Sequence, residues 1–259
     1  MLTLPEIEKF YPEPLRGFKR FILREYLQHK ILQIVFDSPY AGQLAFLGGT
    51  CLRIVYGNSR FSEDIDFDNF IIKEEIFGEI AALIEKELSR EGYTVEMKTV
   101  YKNAYHCHIR FPELLFREGL SGHPEEKILI QLDTEPQHYK FVPEKFLLNR
   151  FDVFTQIFIT PKPLLLAQKF YAVLNRPGNK GRDFFDIVFL LSLEKKPDFD
   201  YLDFKTGIND SKTLKERILL KCASLDMEEM ARDVAPFLFN PSDTKKIIHF
   251  ADYIRQVTL

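Results

Sequence analysis

The stretch running from Leu47-Gly48-Gly49-Thr50 to Asp64-Ile65-Asp66-Phe67 constrains this chain more than any other. Residues 44–47 predict a strand, Gly48-Gly49 a turn, and the segment from Thr50 to about Tyr56 a short helix. A polar loop then leads to a second strand over 64–70 that carries two carboxylates. Glycine adopts positive φ at little cost and lets a backbone approach a ligand closely. A glycine pair ahead of a helix start can therefore aim free amides and the positive helix end at an anion. Strand side chains alternate between faces, so Asp64 and Asp66 project from the same one, about 6–7 Å apart along the strand. Two carboxylates held together repel unless one is protonated or a cation sits between them. A hard divalent ion such as Mg²⁺ takes oxygen ligands and shares its shell with substrate phosphates. A phosphate cradle beside metal-type carboxylates points to phosphoryl or nucleotidyl transfer.

The order Gly-Gly-Thr, then Asp-hydrophobic-Asp, resembles the signature of the DNA polymerase β-like nucleotidyltransferase superfamily. The fuller string, Phe46-Leu47-Gly48-Gly49-Thr50-Cys51-Leu52 and then Arg60-Phe61-Ser62-Glu63-Asp64-Ile65-Asp66-Phe67, resembles its AbiEii toxin branch. Those proteins are the toxin halves of bacterial toxin–antitoxin and phage-abortive systems. The resemblance implies that Gly48, Gly49, Thr50 and Ser62 bind nucleotide and that Arg60 supports the phosphates or the metal shell. It implies Asp64 and Asp66 as ligands of Mg²⁺, or of Mn²⁺ in its place. It also implies an NTP substrate, an RNA acceptor such as the 3′ end of tRNA, and a cognate antitoxin encoded nearby.

Around this stretch the pattern is α+β. Apolar positions at Phe18, Phe21, Ile22, Leu27, Ile31, Leu32, Ile34 and Val35 predict one or two helices over 15–38, and Ile76, Ile80, Leu83, Ile84 and Leu88 a further helix over 72–90. Residues 93–100 and 104–111 alternate as two strands joined at Tyr101-Lys102-Asn103, and 127–133 reads as another strand. These elements predict a nucleotidyltransferase-type mixed sheet with flanking helices. Asp133 sits where the resembled fold places a third carboxylate, which completes the metal site and takes the proton of an attacking hydroxyl. Glu135 shares its parity and is the less favoured alternative.

From Pro161 the pattern turns helical to the last residue, which predicts a catalytic domain over 1–155 and an all-helical domain over 156–259 closing the cleft. Residues 164–175 and 182–193 predict a helical hairpin, followed by helices over 212–225, 227–235 and 245–257. Between Lys162 and Arg182 stand five basic residues (Lys162, Lys169, Arg176, Lys180 and Arg182) and no acidic one, a local run able to serve phosphates. Lys169 lies among apolar neighbours, where an ammonium needs a partner or a ligand. Lys169 followed by Arg182-Asp183-Phe184-Phe185-Asp186 resembles the later motifs of the same family. That resemblance implies that Lys169 and Arg182 contact the nucleotide, and that Asp186, or Asp183, orients the lysine or holds the base or acceptor.

The net charge of −3 offers no global attraction to nucleic acid, so any such contact must be local. Three scattered cysteines predict reduced thiols in the cytoplasm, and neither a signal peptide nor an apolar run long enough to span a membrane is expected. In His106-Cys107-His108 alternation sends the cysteine away from both histidines, so zinc is not expected. With Arg110 the two histidines form a polar strand face that either borders the acceptor site or meets water. Cys51 reads as a small core residue rather than a nucleophile. Two other readings keep the same motifs: transfer to an antibiotic-like small molecule or a protein hydroxyl, and a GTP- or NTP-binding module without turnover.

Overall fold

The alternation of Ile128–Glu135 sends Ile128, Ile130, Leu132 and Thr134 into the core and leaves Gln131 and Asp133 on the opposite face. The same logic builds seven strands: β1 (Leu44–Leu47), β2 (Ile65–Asn69), β3 (Glu96–Tyr101), β4 (Tyr105–Phe111), β5 (Ile128–Glu135), β6 (Glu144–Arg150) and β7 (Val153–Ile159). They form one mixed sheet in the order β3-β4-β5-β2-β1-β7-β6. The pairs β2–β5 and β1–β7 are parallel and the other four antiparallel. The computed structural model describes residues 1–70, 72–101, 104–194 and 196–259, so Lys102 and Asn103 of the expected β3–β4 turn lie outside the described residues.

By its internal contacts the chain divides into two units, residues 1–55, 61–138 and 142–159 in the first and residues 56–60, 139–141 and 160–259 in the second. The first contains the sheet with helices α1 (Leu4–Glu8), α2 (Lys19–Phe36), α3 (starting at Gly48 and ending at Tyr56), α4 (Glu74–Arg90) and α5 (Leu114–Arg117). Residues 15–38 thus give one long helix and a preceding turn. α2 packs on β7 and α4 on β3 and β4. Phe36 meets Phe67 at 5.8 Å between ring centroids, and Phe77 meets Tyr105 at 5.5 Å. Fully buried Ile22, Leu27, Ile31, Leu32, Ile80 and Ile84 lie behind the sheet, each contributing about 1.5–3 kcal/mol over an exposed position. β6 and β7 form a hairpin that the sequence reading did not anticipate.

Several polar groups within this core are paired. Glu25, 3% exposed, accepts from Arg53 Nε at 2.7 Å and from the Tyr11 hydroxyl at 2.7 Å, tying α3 to α2. His29 donates from Nδ1 to the Glu25 carbonyl at 2.7 Å and stands edge-on to Phe151. Burial pushes its pKa down to about 4. The unfolded chain takes up this proton near pH 6.5 and the folded chain only near pH 4, so folding is stabilised fully above 6.5 and progressively less as pH falls between those values. The expected loss is about 3 kcal/mol across that window. Urea melts from pH 7 to 4.5 check it: His29→Leu flattens the slope of stability against pH, and an unchanged slope refutes the assignment.

The second unit is helical: α6 (Lys162–Asn175), α7 (Gly181–Leu193), α8 (Phe199–Thr206), α9 (Ser211–Ala223), α10 (Met227–Val234), α11 (Lys245–Ile248) and α12 (Phe250–Gln256). Asp198, Asp210 and Asp226 cap α8, α9 and α10 by accepting from backbone amides of the first turn. The helix expected over 245–257 breaks at His249 into α11 and α12. Gly181 opens α7 because a Cβ there would fall 1.8 Å from the Met230 carbonyl oxygen. Among the described residues no helix is long and apolar enough to cross a membrane.

Candidate active site

Register places the acidic residues. Leu47 at the end of β1 pairs with Asp66 on β2, Asp66 pairs with Asp133 on β5, and Asp133 pairs with His106 on β4. Cross-strand partners share a face, so Asp66, Asp133 and His106 stand in one row across three strands. Asp64 precedes β2 at the same parity as Asp66, and all three aspartates are half-buried. Among the described residues no three His, Cys, Asp or Glu side chains form a group that could hold a metal ion alone. The three aspartates expected to share a cation are therefore not a preformed cage.

The glycine turn and the acids are built against each other. Gly48 has φ +78°, and a Cβ there would fall 2.1 Å from Asp66 Oδ2. The Asp66 carboxylate thus lies directly against the bare turn, an approach open only to glycine. Gly49 and Thr50 are buried, and the Thr50 hydroxyl donates to the Asp64 carbonyl. That hydroxyl braces the aspartate loop from inside the protein. Gln28 Nε2 donates to the carbonyls of Ser62 at 3.2 Å and Glu63 at 2.9 Å, which ties the half-buried Ser62 to α2 through its backbone.

Asp133 is the most heavily anchored of the acids. His106 Nδ1–H donates to its Oδ1 at 2.7 Å, and Gln131 Nε2 reaches Oδ1 at 2.9 Å and Oδ2 at 2.8 Å. The sequence gives Gln131 no role and places His106 only on a polar strand face that borders the acceptor site or meets water. The spacing of Gln131 and Asp133, two apart on a strand, could have revealed the first; the second needed the register of β4. Cys107 is buried on the far face, away from both histidines, as alternation requires. Burial pushes the Cys51 thiol well above its usual range, as fits a core residue.

In the second unit Lys169, Arg60, Asn58, Asp183, Asp186 and Arg176 form one buried network. Asp186, with no exposed surface, accepts from Arg60 Nε at 2.8 Å and Nη2 at 2.6 Å, from Asn58 Nδ2 at 2.8 Å, and from Lys169 Nζ at 2.8 Å. Asp183, also buried, accepts from Lys169 at 2.8 Å and Arg176 at 2.9 Å. Burial works against the charge on Lys169, yet Asp183 and Asp186 outweigh it and hold its pKa above the ordinary lysine value. Burial likewise opposes ionisation of Asp186, and Arg60 and Lys169 outweigh it, so its pKa lies below the ordinary value. Arg60, expected to support the phosphates or the metal shell, is held by Asp186. Arg182 lies 4.7 Å from the centroid of the Phe237 ring and Lys162 5.8 Å from that of Tyr56, so much of the basic run is engaged within its own unit.

A mixed sheet carrying aspartates beside a glycine turn is the architecture of the nucleotidyltransferase fold. The chain is similar in structure to JHP933 from Helicobacter pylori (TM-score 0.52, 17% identity, covering 91% of this chain and 92% of that one). It is similar also to a candidate nucleotidyltransferase from H. pylori (TM-score 0.50, 17% identity, covering 91% and 94%). Among proteins of curated function none matches the sequence. The model of the nucleotidyl transferase AbiEii toxin family, type IV toxin–antitoxin system, matches residues 30–244, and the chain belongs to that family.

Proposed function

We propose that the protein transfers a nucleoside monophosphate from an NTP to an acceptor hydroxyl on RNA, the 3′ end of tRNA being the first acceptor to try. The observation that carries this reading is the Asp66 carboxylate seated against the Gly48 backbone, one strand from Asp133. The donor set fits Mg²⁺: it is all carboxylate oxygen, and Mg²⁺ is held by one or two carboxylates together with substrate phosphates and water rather than by a full protein cage. Asp66 and Asp133, with Asp64, would hold the ion, which when bound supplies charge neutralisation at the triphosphate. Asp133 accepts the proton of the attacking hydroxyl. The turn amides after Gly48 would face the phosphate end of the nucleotide. Catalysis is then mostly positioning and charge stabilisation of an in-line displacement. Membership of a toxin–antitoxin family supports growth arrest as the outcome and an antitoxin as the protein partner.

The test incubates purified protein with each labelled NTP, Mg²⁺ and total tRNA. Labelled tRNA is expected from the wild type and none from Asp66→Ala of unchanged melting behaviour. Mg²⁺-dependent NTP binding without transfer to tRNA, other RNA, small molecules or protein favours a binding module instead. Full activity in Asp66→Ala removes the metal assignment.

A further inference from the structure

Resting on the assignment of Asp133 to the reacting hydroxyl, we infer that His106 and Gln131 are positioning residues that fix one oxygen of Asp133 towards the chemistry. The terminal torsion of an aspartate is broad and roughly two-fold, so an unanchored Asp133 would present either oxygen over a range of angles. Here three contacts restrain it: His106 Nδ1 to Oδ1 at 2.7 Å, and Gln131 Nε2 to Oδ1 at 2.9 Å and to Oδ2 at 2.8 Å. A carboxylate has about four lone-pair positions, two per oxygen. Oδ1 carries two of the three contacts and Oδ2 one, which leaves Oδ2 with the spare capacity. The anchors come from two strands, Gln131 from β5 itself and His106 from the registered position on β4, so the orientation is set by the sheet rather than by a loop.

Stability does not account for this arrangement. The side chains of His106 and Asp133 are 33% and 26% exposed, and a contact so open to water contributes only about 0–1 kcal/mol. The orientation matters far more to a displacement in which a misplacement of about 1 Å costs about 100-fold in rate.

The experiment compares His106→Ala, His106→Asn and Gln131→Leu with Asp133→Asn and wild type, in tRNA labelling and in Mn²⁺ binding followed by electron paramagnetic resonance with a non-hydrolysable NTP present. His106→Ala is expected to lower kcat about 10–100-fold, with KM for the NTP nearly unchanged and weaker Mn²⁺ binding. The melting temperature is expected to hold. Asparagine places an amide N–H near the position of Nδ1, so His106→Asn is expected to restore most of the turnover. Gln131→Leu is expected to lower kcat in the same direction as His106→Ala. Wild-type kcat in His106→Ala, or equal loss in His106→Ala and His106→Asn, overturns the inference. An active Asp133→Asn sinks the role of Asp133 itself and the inference with it; an inactive Asp133→Asn beside a fully active His106→Ala sinks the positioning role alone. Should the wild type label no acceptor, the Mn²⁺ titration decides His106 separately: unchanged binding in His106→Ala overturns it.

Discussion

Gly48→Ala is expected to lower nucleotidyl transfer by at least about 100-fold while leaving the protein folded. The backbone at Gly48 has φ +78°, where any residue with a Cβ costs about 1–2 kcal/mol. The new methyl would also lie 2.1 Å from Asp66 Oδ2 and 2.9 Å from its Cγ, contacts that cannot persist. The backbone has little room to yield, because Thr50, Cys51 and Leu52 in the first turns of α3 have no exposed surface. The half-buried Asp66 carboxylate is the part able to move, and its displacement disrupts the arrangement of reacting groups at roughly the 100-fold cost of a 1 Å error. Strain of this size lowers Tm by about 2–8 °C in a chain of this length. Gly17→Ala is the control, since a Cβ there meets nothing within 4 Å. Transfer within a few-fold of wild type in Gly48→Ala would show that Asp66 works from another position.

The difference between what the sequence discloses and what it hides follows from the range of the interactions. Alternation and helical period are local, so β1, β2, β4, β5, α2 and α4 were legible, and with them the α+β class. The Gly48 turn was legible as a turn; that its missing Cβ makes room for Asp66 needs the β1–β2 register. β7 was missed because Phe154 and Phe158 make it apolar on both faces, which blurs the period-two signal, and its parallel partner β1 lies far away in sequence. Thr3 and Glu6, a capping box at the start of α1, were a local signal that went unread. The pairing of Arg60 and Asn58 with Asp186 could not be read at all, since the residues stand 126 and 128 positions apart. Asp186, which the family resemblance set beside Lys169, is turned to Arg60 as well.

That buried network carries the largest expected effect on stability. Asp186→Ala is expected to destabilise the helical unit by about 3–5 kcal/mol, because Arg60 then remains buried without the carboxylate that balances it and Lys169 keeps only Asp183. Lys169→Met should cost less: Asp186 keeps Arg60 and Asn58, and the methionine stem replaces the buried methylenes. The opposite ranking would mean that Asp186 is not the hub. The network also sets a pH signature. The folded-state pKa of Asp186 lies below its unfolded value of 3.8, so the carboxylate stabilises the fold fully above pH 3.8 and loses that contribution progressively as pH falls from there through the lower folded value. Denaturant melts at pH 7 and at pH 3 should therefore show Asp186→Asn as the less acid-sensitive protein, though the less stable one at neutrality. A variant equally stable at pH 7 would show that hydrogen bonding, rather than charge, holds Arg60 and Lys169 in place.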